Sequence, residues 1–125
     1  MTAIKESLNL GDLLKYEAPQ LYSRDVVTVL AGEVLPLGAV LGQVTASTKV
    51  KALDPSATDG SETAAGVLLE ACEALNGDRP DGLIVARHAI LADHALVWPV
   101  GITAPQKVTA LSQLKALGLL VRHGA

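Results

Sequence analysis

The chain has 125 residues, a mass of 12.9 kDa and a formal charge of −3, which allows one compact domain and little more. Ten Lys and Arg against 13 Asp and Glu argue against a nucleic-acid partner, and Tyr16, Tyr22 and Trp98 make no base-stacking platform unless the fold brings them together. A single cysteine, Cys72, excludes an internal disulfide framework and reads as a small buried hydrophobe in a reducing cytosol.

Residues 1–25 are polar and weakly patterned, with Gly11 and Pro19 limiting any helix that Leu8, Leu10, Leu13 and Leu14 could build. They read as an N-terminal arm, expected to be flexible until it meets a partner, followed by a domain over 26–125. Val26–Val29 is β-branched and predicts a strand, ended by a turn at Ala31–Glu33 and a bend at Leu35–Gly38. Ala39–Val44 resumes extended chain. Ala46–Thr48 turns it, and Lys49–Leu53 returns with one wet and one buried face. Asp54–Ser61 is dense in turn formers, Ala65–Ala71 reads as a central strand, and Asn76-Gly77-Asp78 marks another turn. Gly82–Leu91 predicts the longest strand, apolar on both faces and so covered on both. A helix over 104–117 is well marked: Thr103 as cap, Pro105 in the first turn, Gln106 three residues after the cap, and Gly118 as the stop. Val108, Ala110, Leu111, Leu114 and Leu117 form its apolar stripe, and Leu119–Arg122 closes the chain as a short strand.

No signal peptide is expected at the N-terminus. The apolar tract 26–44 is interrupted by Glu33, Pro36 and glycines, so no membrane span and no membrane partner is expected.

Chemistry-bearing patterns are few. His88, His94 and His123 match no metal-ligand spacing, although Asp93 beside His94 suggests an acid–base or metal reading; surface or interface histidines account for them better. Asp54, Asp59, Glu62, Glu70 and Glu73 read as solvated loop acids. Gly32, Gly38 and Gly42 lack the Lys-Ser or Lys-Thr of a phosphate loop, and no Gly-x-Ser-x-Gly element occurs. The sequence therefore yields no catalytic, cofactor or metal-binding residue, and the expectation is a protein that is not an enzyme. It raises a different question. A domain this small leaves roughly 30–40% of its extended surface in water. With half of the chain hydrophobic and 18% charged, part of that surface is expected to be apolar and covered by a partner, so an oligomer is expected.

Three segments in series resemble the head decoration proteins of tailed bacteriophages, the group typified by the phage lambda capsid-stabilising protein. They are Leu53-Asp54-Pro55 through Thr58-Asp59-Gly60-Ser61 to Ala65-Gly66-Val67-Leu68, then Leu91 to the Trp98-Pro99 pair, then the helix from 104 to 117 with its terminal strand. Order and spacing agree over roughly residues 26–122, while residues 1–25 match no family motif residue by residue. The resemblance implies a mostly-β fold of the β-clip kind, a bent ribbon and incomplete barrel with one short C-terminal helix; a small α+β domain is the alternative. It implies a homotrimer on the outer surface of the expanded capsid at three-fold sites, bound to the major capsid protein and resisting the pressure of packaged DNA. It places the protein in the virion, made in the host bacterial cytoplasm, with no nucleic-acid partner and no cofactor. The arm residues expected to contact the capsid are Leu8, Leu10, Leu13, Leu14, Tyr16, Leu21 and Tyr22. Trp98 and Pro99 are either an interface or a core anchor, the latter slightly favoured. Two other readings stay open: a trimeric β-clip enzyme of the nucleotide-hydrolase type, whose acidic residue and glycine-rich strand are not identifiable here, and an interaction module outside any virus.

Overall fold

The computed structural model describes residues 10–19 and 22–123. Leu8 and Leu21 of the expected arm lie outside them. The fold is mostly β with one main helix near the C-terminus.

Five strands close into a small barrel: β2 (Arg24–Val29), β4 (Val40–Gln43), β5 (Val50–Ala52), β6 (Ala64–Leu68) and β8 (Arg79–Val85), in the order β2-β5-β4-β6-β8. The resemblance implied an incomplete barrel, whereas the ladder here is closed. One seam is thin, since β2 meets β5 at a single parallel pair, Val29 opposite Val50. A three-stranded sheet stands beside the barrel, with β9 (Ala89–Ala92) between β1 (Leu14–Glu17) and β10 (Leu119–Arg122). A two-stranded ribbon joins β3 (Val34–Leu35) to β7 (Cys72–Glu73). The helical elements are one turn, α1 (Leu10–Leu13), a 3₁₀ turn at Asp93–Ala95, and α2 (Ala104–Ala116).

The period-two geometry of strands explains why β4, β6 and β8 are apolar on both faces. Leu41, Leu68 and Ile84 meet Val29 and Val50 in one core, so each of the five strands gives it at least one buried side chain. Their neighbours Val40, Val67 and Val85 point the other way. They pack with Leu13, Leu91, Leu114 and Leu119 in a second, larger core between the barrel, the sheet and α2. Two cores in one short chain consume much of its Ala, Val and Leu.

The expected strand 82–91 is two strands. The chain leaves the barrel at Val85 and enters the second sheet at Ala89, and the corner is His88, whose φ of +50° is unusual for a non-glycine residue. Partners distant in sequence hold it there. The Ser23 hydroxyl and the Ala18 N–H both donate to the His88 carbonyl, at 2.8 and 3.1 Å, and the Ala89 N–H donates to Gly118. Ser23 is fully buried, and its hydroxyl also accepts from Ala18.

α2 begins as its sequence dictates. Thr103 accepts from the Gln106 N–H while the Gln106 side chain accepts from the Thr103 N–H, a complete capping box, and Gly118 at φ +85° ends the helical region. A Cβ at Gly118 would stand 2.8 Å from the His88 ring, so the helix stop also packs on the corner. The expected apolar stripe is narrower than its sequence pattern. Ala110 and Leu114 are buried and Leu111 is half-buried, but Val108 lies on the outer face at 66% exposure and Leu117 sits at its margin. Val108 fell into the stripe through hydrophobicity alone, because position 108 lies off the line through 107, 110, 111 and 114 that faces the core.

Candidate interaction surfaces

The segment read as an arm divides within the described residues. Leu13 is fully buried in the larger core, and Leu10 and Leu14 pack half-buried against it. β1 pairs antiparallel with β9, Leu14 opposite Leu91 and Glu17 opposite Ala89, with a register shift between Leu14 and Tyr16. Tyr16 and Tyr22 stay in solvent, at 54% and 55% exposure. Both stand at the His88 corner. The Tyr22 ring meets the His88 ring edge-on at 5.2 Å, and the Arg87 guanidinium lies 5.3 Å from the Tyr22 ring centroid. Arg87 also donates to the Tyr22 carbonyl and pairs with Asp25. Tyr16, His88, Ile90 and Leu120 line a shallow groove of about 350 Å³ beside this cluster. Arg87 and His88 thus fix the start of β2 to the end of β8.

A bidentate pair ties the start of β2 to the end of β1. Arg24 donates to both carboxylate oxygens of Glu17, at 2.8 and 2.6 Å. The hydrogen bond from Arg24 holds the Glu17 carboxyl below its ordinary range. A carboxylate with a lowered folded-state pKa contributes stability that is present above its ordinary pKa and lost as the pH falls through the lowered value. Glu17→Gln is therefore expected to cost about 0.5–1 kcal/mol at neutral pH. The difference between variant and wild type should shrink to nothing in acid below the Glu17 titration, as followed by urea unfolding across pH.

Trp98 is half-buried and packs on the larger core, with the Lys107 ammonium 5.8 Å from its ring centroid. The chain before it is tied to β4: Val97 exchanges hydrogen bonds with Gly38 and Val40, at 2.8 and 3.1 Å. Pro99 is half-buried and leads into a turn whose Val100 is wholly exposed. Trp98 so anchors the passage from β9 to α2 while leaving an edge of its ring outside. Other exposed apolar side chains are Val34 on β3, Leu75 in the turn after β7, and Val26 on β2.

The groups considered for chemistry are used in building loops. Asp54 accepts from the Ser56 hydroxyl and N–H within the loop, and Asp59 accepts from the Ser61 hydroxyl and N–H, bonds that lower the Asp59 pKa. Glu62 accepts from the Gly60 N–H. Cys72 is buried in the barrel-end core, and burial raises its thiol pKa. Asp93 faces His123 at 3.2 Å, while His94 is exposed. Among the described residues no group of three or more His, Cys, Asp or Glu side chains is placed to hold a metal ion, and no helix is long and apolar enough to cross a membrane.

The barrel and its flanking sheet thus present exposed aromatic and aliphatic side chains at their corners, while Asp54, Asp59 and Glu62 are engaged within loops. The chain belongs to the bacteriophage lambda head decoration protein D family, whose model matches residues 3–119 of the 125. Membership places it among the structural proteins of phage heads, associated with the capsid. No curated protein matches the chain. The family match reaches back to residue 3 and so includes the segment that the motif comparison left unmatched.

Proposed function

We propose that this protein is a homotrimer that binds the outer surface of the expanded phage head at its three-fold sites, contacts the major capsid protein, and stabilises the shell against packaged DNA. The observation that carries the reading is the family match over nearly the whole chain. The distribution of apolar surface supports it. Tyr16, Tyr22, Val26, Val34, Leu75 and Val100 are each more than half exposed, and apolar side chains in water are the ones that contacts with sister subunits and a lattice would cover.

The N-terminal segment is assigned to the capsid in two parts. Leu10, Leu13 and Leu14 fasten it to the body through the larger core, and Tyr16 and Tyr22 face outward from the fastened stretch. The residues before Leu10 are assigned to contact with the shell as well. The role needs area rather than chemistry, so it is non-catalytic, and the protein acts in the virion after synthesis in the host cytoplasm.

The test is co-sedimentation with expanded, undecorated heads and with unexpanded shells. Saturable binding to the expanded heads, and a rise in the temperature at which they rupture, is the expected result. Equal binding to both shells, or none to either, would overturn the reading.

A further inference from the structure

The turn from β7 to β8 carries the only Asn-Gly pair of the chain, Asn76-Gly77. Its backbone calls for glycine, since Gly77 stands at φ +148°, a conformation that other residues adopt only under strain. The same glycine leaves the Asn76 side chain beside a backbone nitrogen with no Cβ to shield it. Asn76 is exposed, and nothing among the described residues lies within 4 Å of where a Cβ on Gly77 would stand. The Gly77 N–H reaches the Ala74 carbonyl at 3.4 Å, which is long for a hydrogen bond. Among the described residues no hydrogen bond holds the Asn76 side chain.

Two Asp-Gly pairs could undergo related chemistry, and both are held. The Asp59 carboxylate accepts from the Ser61 hydroxyl and N–H, while the Gly60 N–H donates to Glu62 at 2.8 Å. A Cβ at Gly60 would stand 2.2 Å from the Thr45 Oγ1, so that backbone is enclosed. Asp81 accepts two bonds from the Arg79 guanidinium, and Gly82 is buried in the β2–β8 ladder opposite Val27.

We propose that Asn76 is a self-modifying site, which deamidates through a cyclic imide in the folded protein and thereby loosens the β2–β5 seam of the barrel. The Gly77 nitrogen gives its proton to hydroxide and attacks the Asn76 side-chain carbonyl carbon. A new C–N bond forms, the bond to the amide nitrogen breaks, and that nitrogen takes a proton from water and leaves as ammonia. Water then opens the five-membered imide. Opening at one carbonyl gives Asp, and opening at the other gives isoaspartate, in which the side-chain methylene has entered the main chain. Either product carries a new carboxylate, and one water is consumed for each ammonia released.

The seam is affected because Asp78, two residues on, bridges it. Its carboxylate accepts from the Ala31 N–H, just after β2, at 2.8 Å, and pairs with Lys49, just before β5, at 2.5 Å. β2 and β5 themselves share only the pair of Val29 with Val50, beside the bond from the Leu30 N–H to the Val50 carbonyl. An extra backbone carbon before Asp78 displaces its carboxylate, and a second negative charge nearby competes for Lys49. The chemistry belongs to this turn and does not depend on the capsid-binding reading.

The experiment incubates the full-length protein at mildly alkaline pH and maps each site by peptide mass spectrometry. Isoaspartate is read by enzymatic carboxyl methylation, and each site is compared with a short peptide of its own sequence. Asn76 is expected to convert within about threefold of its peptide, while Asp59 and Asp81 isomerise at least about tenfold more slowly than theirs. In the converted protein, separated by charge, hydrogen exchange at the Ala31 amide should rise about threefold or more. Asn76→Gln, which would have to close a six-membered ring, should stay intact and keep that amide slow through the same incubation. Should this variant fail to fold by circular dichroism, converted and unconverted wild type make the comparison alone. Conversion of Asn76 slowed beyond about threefold relative to its peptide would overturn the inference. So would a converted protein whose Ala31 amide exchanges as slowly as before.

Discussion

Leu13→Ala is expected to lower the free energy of unfolding by about 2–5 kcal/mol, the range for truncating a fully enclosed leucine. Leu13 has no exposed surface and lies among Leu91, Leu114 and Leu119, which come from β9, α2 and β10. Its removal leaves a cavity where three elements meet, and elements pinned by their own ladders and by the α2 cap can close it only in part. In urea the midpoint should fall with little change in slope, the sign of lost stability without a change in the surface exposed. A variant within about 0.5 kcal/mol of wild type would mean that residues 10–17 contribute nothing to the body. The same packing governs truncation. Removing residues 2–20 would take away a core leucine, β1 and the Glu17–Arg24 pair, so lost capsid binding would then report unfolding as much as lost contact. Removing residues 2–9 leaves Leu10–Glu17 in place and isolates the segment assigned to the shell.

Gly42→Ala is expected to destabilise the barrel by about 3 kcal/mol or more, although it adds one methyl group. Gly42 lies in β4 where the register against β6 shifts, and a Cβ there would stand 2.2 Å from the Ser61 carbonyl oxygen and 2.7 Å from the Ser61 Cα. Those are backbone atoms and cannot swing aside. Ser61 is itself fully buried, its hydroxyl is held by Asp59, and its carbonyl accepts from the Asp54 N–H at 3.0 Å. Gly32→Ala is the control, since a Cβ at Gly32 meets nothing within 4 Å and its φ of +93° alone opposes the substitution. That change is expected to cost about 1 kcal/mol. Thermal unfolding of the two variants separates the steric effect from the conformational one, and a Gly42→Ala protein as stable as the control would contradict the close approach of β4 to the 54–61 loop.

These two sites also show which features were legible in the sequence. α2 was, because Thr103, Pro105, Gln106 and Gly118 act on their own neighbours and need no tertiary context. So were the turns at Ala46–Thr48, Asp54–Ser61 and Asn76–Asp78, for the same reason. The break at His88 was not. No glycine or proline interrupts 83–91, and the left-handed corner is imposed by Ser23 and Gly118, each distant in sequence. The burial of Leu13 was equally hidden, since a one-turn helix and a four-residue strand have no periodicity to read. The Leu53 to Leu68 and Leu91 to Pro99 motifs that carry the resemblance each form connected structure. The first runs from the loop that packs against Gly42 into β6, and the second carries β9 to the Trp98 anchor.

The scarcity of aromatic residues acquires a physical account. A five-stranded barrel has a narrow interior, and Val29, Leu41, Val50, Leu68 and Ile84, with smaller neighbours such as Ala39, Cys72 and Ala52, fill this core. Backbones approach too closely for larger ones: a Cβ at Gly66 would stand 2.8 Å from the Val85 carbonyl. The larger core is filled mostly by Ala, Val and Leu from the barrel strands, the sheet and α2. Half of the chain is hydrophobic because two cores must be filled with small side chains, and apolar residues left over lie outside, among them Tyr16, Tyr22, Val26, Val34, Leu75, Val100 and Val108.

The most direct measurement of the central claim is cryo-electron microscopy of expanded, undecorated heads mixed with the purified protein. The account predicts added density on the outer surface at the three-fold positions, in three lobes that each fit one barrel, with the residues before Leu10 running onto the shell. Heads that show no added density, or density without three-fold arrangement, would contradict it.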